Sequence, residues 1–131
     1  MPKETTLYQS LRTNLPQVHW QRIESPMTQG TPDVNGCYEG YEFWLELKIA
    51  RGNKIKFSNF QCNWAFKRVA SGGRVFTLIQ HHQNKWIRLY DSNQFRTLLE
   101  QGLSSSECLL QITPKYSSED WLAILNLIID Y

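Results

Sequence analysis

With 131 residues, 41% hydrophobic and 20% charged, the chain has the composition of a folded globular domain and the length for one core, so a single domain over 1–131 is expected and a disordered segment is excluded. No apolar run reaches bilayer-spanning length and the amino terminus (Met1-Pro2-Lys3-Glu4) opens polar, which predicts an intracellular protein with no membrane attachment. Net charge is only +2, yet Leu47 to Tyr90 holds nine Lys or Arg and no acid, whereas Asp91 to Tyr131 holds six acids against Arg96 and Lys115. Such segregation suits a face turned to a polyanion, the alternative being a solvated basic face.

Leu7, Leu11 and Leu15 recur every four residues and predict a helix over Thr5–Leu15, capped by Thr5 or Thr6 and ended by Pro16. Val18 to Glu24 alternates loosely as an extended segment and leads through Pro26 and Thr28-Gln29-Gly30 to Asp33. Glu24 has two readings, a surface carboxylate or an acid of the same site as Asp33. A strand is expected from Asp33-Val34, with turn chemistry at Asn35-Gly36 and Glu39-Gly40, and a second strand returns over Tyr41–Ile49. In that return strand strict alternation assigns Phe43, Leu45, Leu47 and Ile49 to the core, leaving Trp44, Glu46 and Lys48 on the other face. The ribbon brings Asp33 near Glu46. Two acids and a lysine on rigid backbone are the minimum for binding a divalent cation and handling a water beside it.

After a basic loop (residues 50–56), Ser58 opens a helix with Phe57, Phe60, Trp64, Ala65 and Val69 at helical spacing, stopped by Gly72-Gly73. Gln61 fits a capping box with Ser58 and also faces whatever lies at the helix start; the two roles are compatible. Arg74–Gln80 and Lys85–Tyr90 read as strands around a His81-His82-Gln83-Asn84 connection, whose adjacent histidines point apart and so suit hairpin polarity better than a shared metal. Ser92 is expected to cap a helix through Glu100, Glu107–Thr113 to form an edge strand, and Ser117 or Ser118 to cap a last helix. That helix is apolar on more than one face, so it is either deeply buried or docks a second subunit. Cys37, Cys62 and Cys108 lack zinc or disulfide spacing and read as small buried side chains.

Taken together, Arg22-Ile23-Glu24-Ser25, Gly30-Thr31-Pro32-Asp33, Trp44-Leu45-Glu46-Leu47-Lys48 and Phe60-Gln61-Cys62-Asn63-Trp64, followed by Gly72-Gly73 and a strand, resemble the PD-(D/E)XK nuclease superfamily. The likeness is narrower to the small phage-type and VRR-NUC enzymes and the archaeal Holliday-junction resolvases, and it covers the first two-thirds of the chain. It implies a three-layer α/β, restriction-endonuclease-like core with a mixed central sheet flanked by helices. It further implies a metal-dependent endodeoxyribonuclease, selective for branched DNA and acting as a homodimer in the cytoplasm of a host cell if phage-encoded.

Carried over by residue, the resemblance makes Asp33, Glu46 and the Leu47 carbonyl ligands of Mg²⁺ or Mn²⁺, Lys48 the positioner of water or phosphoryl charge, and Glu24 and Gln61 supporting groups. Arg22, Arg51, Lys54, Lys56, Lys67 and Arg68 are the candidate DNA contacts. Two alternatives stand beside it: a nuclease of ordinary duplex or single strands, and a non-catalytic module binding nucleic acid through the basic segment with Trp20, Trp44 and Trp64.

Overall fold

The computed structural model describes residues 3–24 and 29–131. Ser25, Pro26 and Thr28, which the sequence reading placed in the approach to Asp33, lie outside the described residues, as do Met1 and Pro2.

Alternation along β3 (Tyr41–Ala50) sends Phe43, Leu45 and Leu47 to one side of the sheet and Trp44, Glu46, Lys48 and Ala50 to the other, and both sides are covered. On the first side helices α1 (Glu4–Asn14) and α4 (Ser118–Asp130) contribute Leu7, Leu11, Trp121, Ile124, Leu125 and Ile128 to a core with Phe43, Leu45 and Leu47. On the second, α2 (Asn59–Ala70) and α3 (Phe95–Glu100) place Cys62, Ala65, Phe95 and Leu98 against Ala50, Ile79 and Tyr90. The result is a three-layer α/β fold, as expected, with one departure: Glu46 does not leave the interior but is only 4% exposed.

The remaining strands are β1 (His19–Arg22), β2 (Val34–Tyr38), β4 (Val75–His81), β5 (Ile87–Asp91) and β6 (Leu110–Ile112). They form one six-stranded sheet in the order β1-β2-β3-β4-β5-β6. Only β3 and β4 run parallel, joined through α2; the other pairs are antiparallel. A parallel neighbour requires a crossover, and α2 supplies it over the second face.

Several local expectations need correction. Asn35-Gly36 is not a turn. Gly36 sits inside β2 because a Cβ there would lie 2.4 Å from the Phe43 ring, so the residue is chosen for space. The reversal falls instead at Glu39-Gly40, where both residues have positive φ (50° and 86°), the requirement of a two-residue hairpin loop between Tyr38 and Tyr41. The turn before α3 is capped by Asp91, whose carboxylate accepts from the Asn93 N–H, so Ser92 begins a short 3₁₀ turn and is not its cap. The edge strand is the three residues of β6, shorter than 107–113. Phe60 and Val69, two of the residues whose helical spacing marked α2, are 57% and 43% exposed, since Cys62 and Ala65 define the buried stripe. Of the cysteines only Cys62 is buried; Cys37 is half-buried and Cys108 exposed.

The last helix resolves toward burial. Its Ser117–Asp120 capping box fixes the start, and Leu122 is its one strongly exposed large apolar residue among those described. No helix among the described residues is long and apolar enough to cross a membrane.

Gly36→Ala is expected to destabilise the fold by about 1–3 kcal/mol through overpacking against Phe43. Urea unfolding of the two proteins measures this, and equal midpoints would show that the Phe43 ring has room to move.

Candidate active site

The end of the β2–β3 ladder creates the site. Pairing stops at Val34↔Leu45, and two residues further along β3 the Leu47 N–H donates not to backbone but to Asp33 Oδ2 at 2.9 Å. Asp33 is itself held from the other side, where its carbonyl accepts from the Ile23 N–H at 2.7 Å. In an extended strand the N–H and C=O of one residue leave on the same edge, so the Leu47 carbonyl emerges on the edge that faces Asp33.

Glu46 is anchored beside it. Its backbone carbonyl accepts from Thr77 Oγ1 (2.7 Å), and its Oε2 accepts from Gln61 Nε2 (3.0 Å). Gln61 Oε1 accepts from both the Ser58 N–H (2.9 Å) and Lys48 Nζ (3.3 Å). Because those two partners are pure donors, the orientation of the amide is fixed. The capping box with Ser58 is also complete, so one glutamine starts helix α2 and joins Glu46 to Lys48. Lys48 Nζ further donates to the Lys56 carbonyl at 2.5 Å and lies 4.8 Å above the Phe57 ring, which leaves little freedom for the ammonium. Gly30 (φ 89°) permits the approach to Asp33: a Cβ there would fall 2.2 Å from the Phe60 carbonyl, so the loop lies directly on the first turn of α2.

Glu46 is pushed up from 4.5 to about 8, first by burial and then by the neighbouring Asp33 carboxylate, against a smaller opposing pull from Lys48. At neutral pH the carboxyl is therefore mostly protonated, and the 3.4 Å approach of Lys48 to Oε2 is more a charge–dipole contact than an ion pair. Asp33 and the Leu47 carbonyl at the edge of the ladder, with the Glu46 carboxyl beside Asp33, are hard oxygens of the kind that Mg²⁺ or Mn²⁺ takes, and a cation there would offset the repulsion between the two carboxyl groups.

The other sequence-assigned residues divide. Glu24 is exposed in a bend and lines the same cleft as Asp33, but among the described residues no three His, Cys, Asp or Glu gather closely enough to hold a metal. Arg22 lines that cleft too, and Arg51, Lys54 and Lys56 share a groove with Lys48. Lys67 and Arg68 sit in the last turn of α2, about 10 Å along the axis from Gln61, with Arg68 over Trp44 (5.3 Å) and Trp64 (4.9 Å). They do not join the groove. Trp44 and Trp64 pack edge-on with each other, while the Trp20 indole N–H donates to the Leu15 carbonyl and its ring meets Phe43. All three are occupied in packing. Sequence reasoning missed Tyr8, Gln9 and Arg12 of α1, which line the Asp33 cleft; their three- and four-residue spacing opposite the leucines was the available signal.

Two of the solved structures that resemble this chain are nucleases by name. The Holliday junction resolvase Hjc of the archaeal hyperthermophile Archaeoglobus fulgidus superposes with a TM-score of 0.56 at 12% identity, over 84% of this chain and 88% of that one. The bacterial homing endonuclease I-Ssp6803I superposes at 0.49 and 10% identity, over 97% of this chain and 91% of that one. No family model and no curated protein matches the sequence. The likeness to Hjc is one of fold, a mixed sheet flanked by helices.

The raised Glu46 sets a pH dependence for the metal-free protein. The folded state binds a proton that the unfolded chain releases near 4.5, so this contribution to stability is complete below that pH and is lost as pH rises through about 8. Denaturant midpoints in chelator should therefore fall between pH 5 and 8.5. Glu46→Gln should reduce that fall, and an undiminished fall in the variant would place the titration elsewhere.

Proposed function

We propose that the chain is a divalent-metal-dependent DNA endonuclease that hydrolyses phosphodiester bonds, selects branched DNA and works as a homodimer. The observation that carries this reading is the Asp33–Glu46 carboxyl pair, with Lys48 immobilised against it by Gln61 and the Lys56 carbonyl. A bound Mg²⁺ or Mn²⁺ would polarise the scissile phosphate and lower the pKa of a water.

The residues divide the remaining work. Asp33 and the Leu47 carbonyl offer oxygens fixed by backbone, and Glu46 would join them as a carboxylate with a cation bound, its proton passing to solvent. Lys48 then holds a compact positive charge where water or a phosphoryl oxygen would sit. Gln61 keeps both groups aligned without adding charge. Arg51, Lys54 and Lys56 beside Lys48 suit sequence-independent phosphate contacts, which give affinity and position without base readout. Glu24, in the same cleft as Asp33, would orient water from the far side.

Branched DNA is the preferred substrate because the fold neighbour Hjc is a Holliday junction resolvase, and a two-fold pair of such sites would cut two strands symmetrically. The packing of Trp20, Trp44 and Trp64 disfavours a binding module built on aromatic stacking.

Purified protein incubated with a four-way junction, linear duplex and single strand should cut the junction fastest with Mg²⁺ and nothing in chelator. Asp33→Asn, Glu46→Gln and Lys48→Ala should each slow cleavage by about a hundredfold or more, the scale of losing a charge used in the transition state. Junction affinity in chelator should stay within a few-fold. Unchanged cutting by any one variant removes that residue from the site, and products that ignore chelator remove the metal.

A further inference from the structure

Leu7 and Leu11 turn one side of α1 into the core, and helical spacing puts Thr5, Tyr8, Gln9 and Arg12 on another stripe. That stripe, with Arg22, Glu24 and Asp33, lines an open cleft of about 560 Å³. At the amino-terminal end of the same helix, Lys3 and Glu4 join Lys48, Arg51, Lys54 and Lys56 around a second cleft of about 260 Å³. One cleft thus opens on the Asp33 side of the site and the other on the Lys48 side, with α1 beside both. Lys3 and Arg12 lie about 14 Å apart along the helix axis at 1.5 Å per residue. Along a duplex axis, where each strand carries a phosphate roughly every 3.4 Å, that length corresponds to about four phosphates.

The two arginines of the first cleft come from different elements, yet both guanidinium groups lie over one ring, Arg12 at 5.8 Å and Arg22 at 5.5 Å from the centre of Tyr8. Among the described residues the one ion pair is Lys48–Glu46, so neither arginine is in direct contact with a carboxylate, although Glu24 and Asp33 line the same cleft. Like charges gathered on one aromatic ring repel, and an anion seated between them removes the repulsion. Arginine forks match phosphate oxygens in pairs.

We propose that the DNA backbone runs along α1 through the site, with Lys3, Arg51, Lys54 and Lys56 holding phosphates on one side of the scissile bond and the Tyr8-stacked Arg12 and Arg22 holding those on the other. This rests on the nuclease reading above and adds the path of the backbone, with α1 beside it and named cations on both sides of the scissile bond. A site gripping an end needs cations on one side only; this one has them on both.

Phosphate-ethylation interference on a four-way junction, with wild-type protein in chelator, tests the proposal without any variant. Interference is expected on both sides of the cut position, and closed circular DNA should be cut with Mg²⁺ as readily as its linear form. In the double variant Arg12→Gln/Arg22→Gln, interference should vanish on one side only, and the slope of log affinity against log salt should shrink by about 1.8, or 0.9 for each lost contact. Lys54→Gln/Lys56→Gln should weaken the interference on the other side, where Lys3 and Arg51 remain. Interference confined to one side in the wild type, or an arginine variant with unchanged slope and pattern, would overturn the two-sided grip and leave the nuclease reading standing. A wild-type protein that neither binds nor cuts any DNA, or that cuts linear DNA and spares closed circles, would sink the endonuclease reading itself.

Discussion

A carboxyl group buried beside a second carboxylate is costly, and much of the local structure answers that cost. Glu46 sits on a strand covered on both faces, so water cannot solvate its charge, and Asp33 faces it from the end of the neighbouring ladder. The compensations are visible one by one: an amide from Gln61, an ammonium from Lys48, and a proton retained up to about pH 8. A site that existed only for stability would have an apolar residue here, as Ala50 is on the same face.

The compensating groups are not independent. Lys48 is restrained by the Lys56 carbonyl and the Phe57 ring, both in the segment between β3 and α2. Gln61 comes from the first turn of α2, which the Gly30 loop touches directly. The connection that makes β3 and β4 parallel neighbours is therefore also the one that closes the site from above. Crossover and candidate-site wall are a single piece of chain.

Much of this was legible in the residues. Alternation over Tyr41–Ile49 located β3, and the Ser58–Gln61 spacing located both the helix start and the glutamine, because each signal is local and periodic. The second covered face was not legible from alternation alone, since Trp44, Glu46 and Lys48 read as solvent-facing until Ala50, Ile79 and Tyr90 are seen to share their side. Asn35-Gly36 misled for a related reason: the dipeptide favours a turn, but the space it leaves is taken by Phe43 from the next strand, a contact that no local pattern records. Lys67 and Arg68 were grouped with the groove by their charge, whereas the axis of α2 carries them away from it. Arg22 is a candidate contact from sequence, but its pairing with Arg12 on Tyr8 is not legible there, because the two meet only once α1 and β1 are side by side.

Gln61 joins helix capping to site geometry in one side chain. The first turn of a helix opens more readily than its middle, having the fewest hydrogen bonds to lose. Whenever that turn frays, the amide releases Ser58, Lys48 and Glu46 in the same event. The assembled site is thus one conformation in a local opening equilibrium whose free energy is that of a single helical turn. That free energy can be read from the hydrogen exchange of the Gln61 backbone amide.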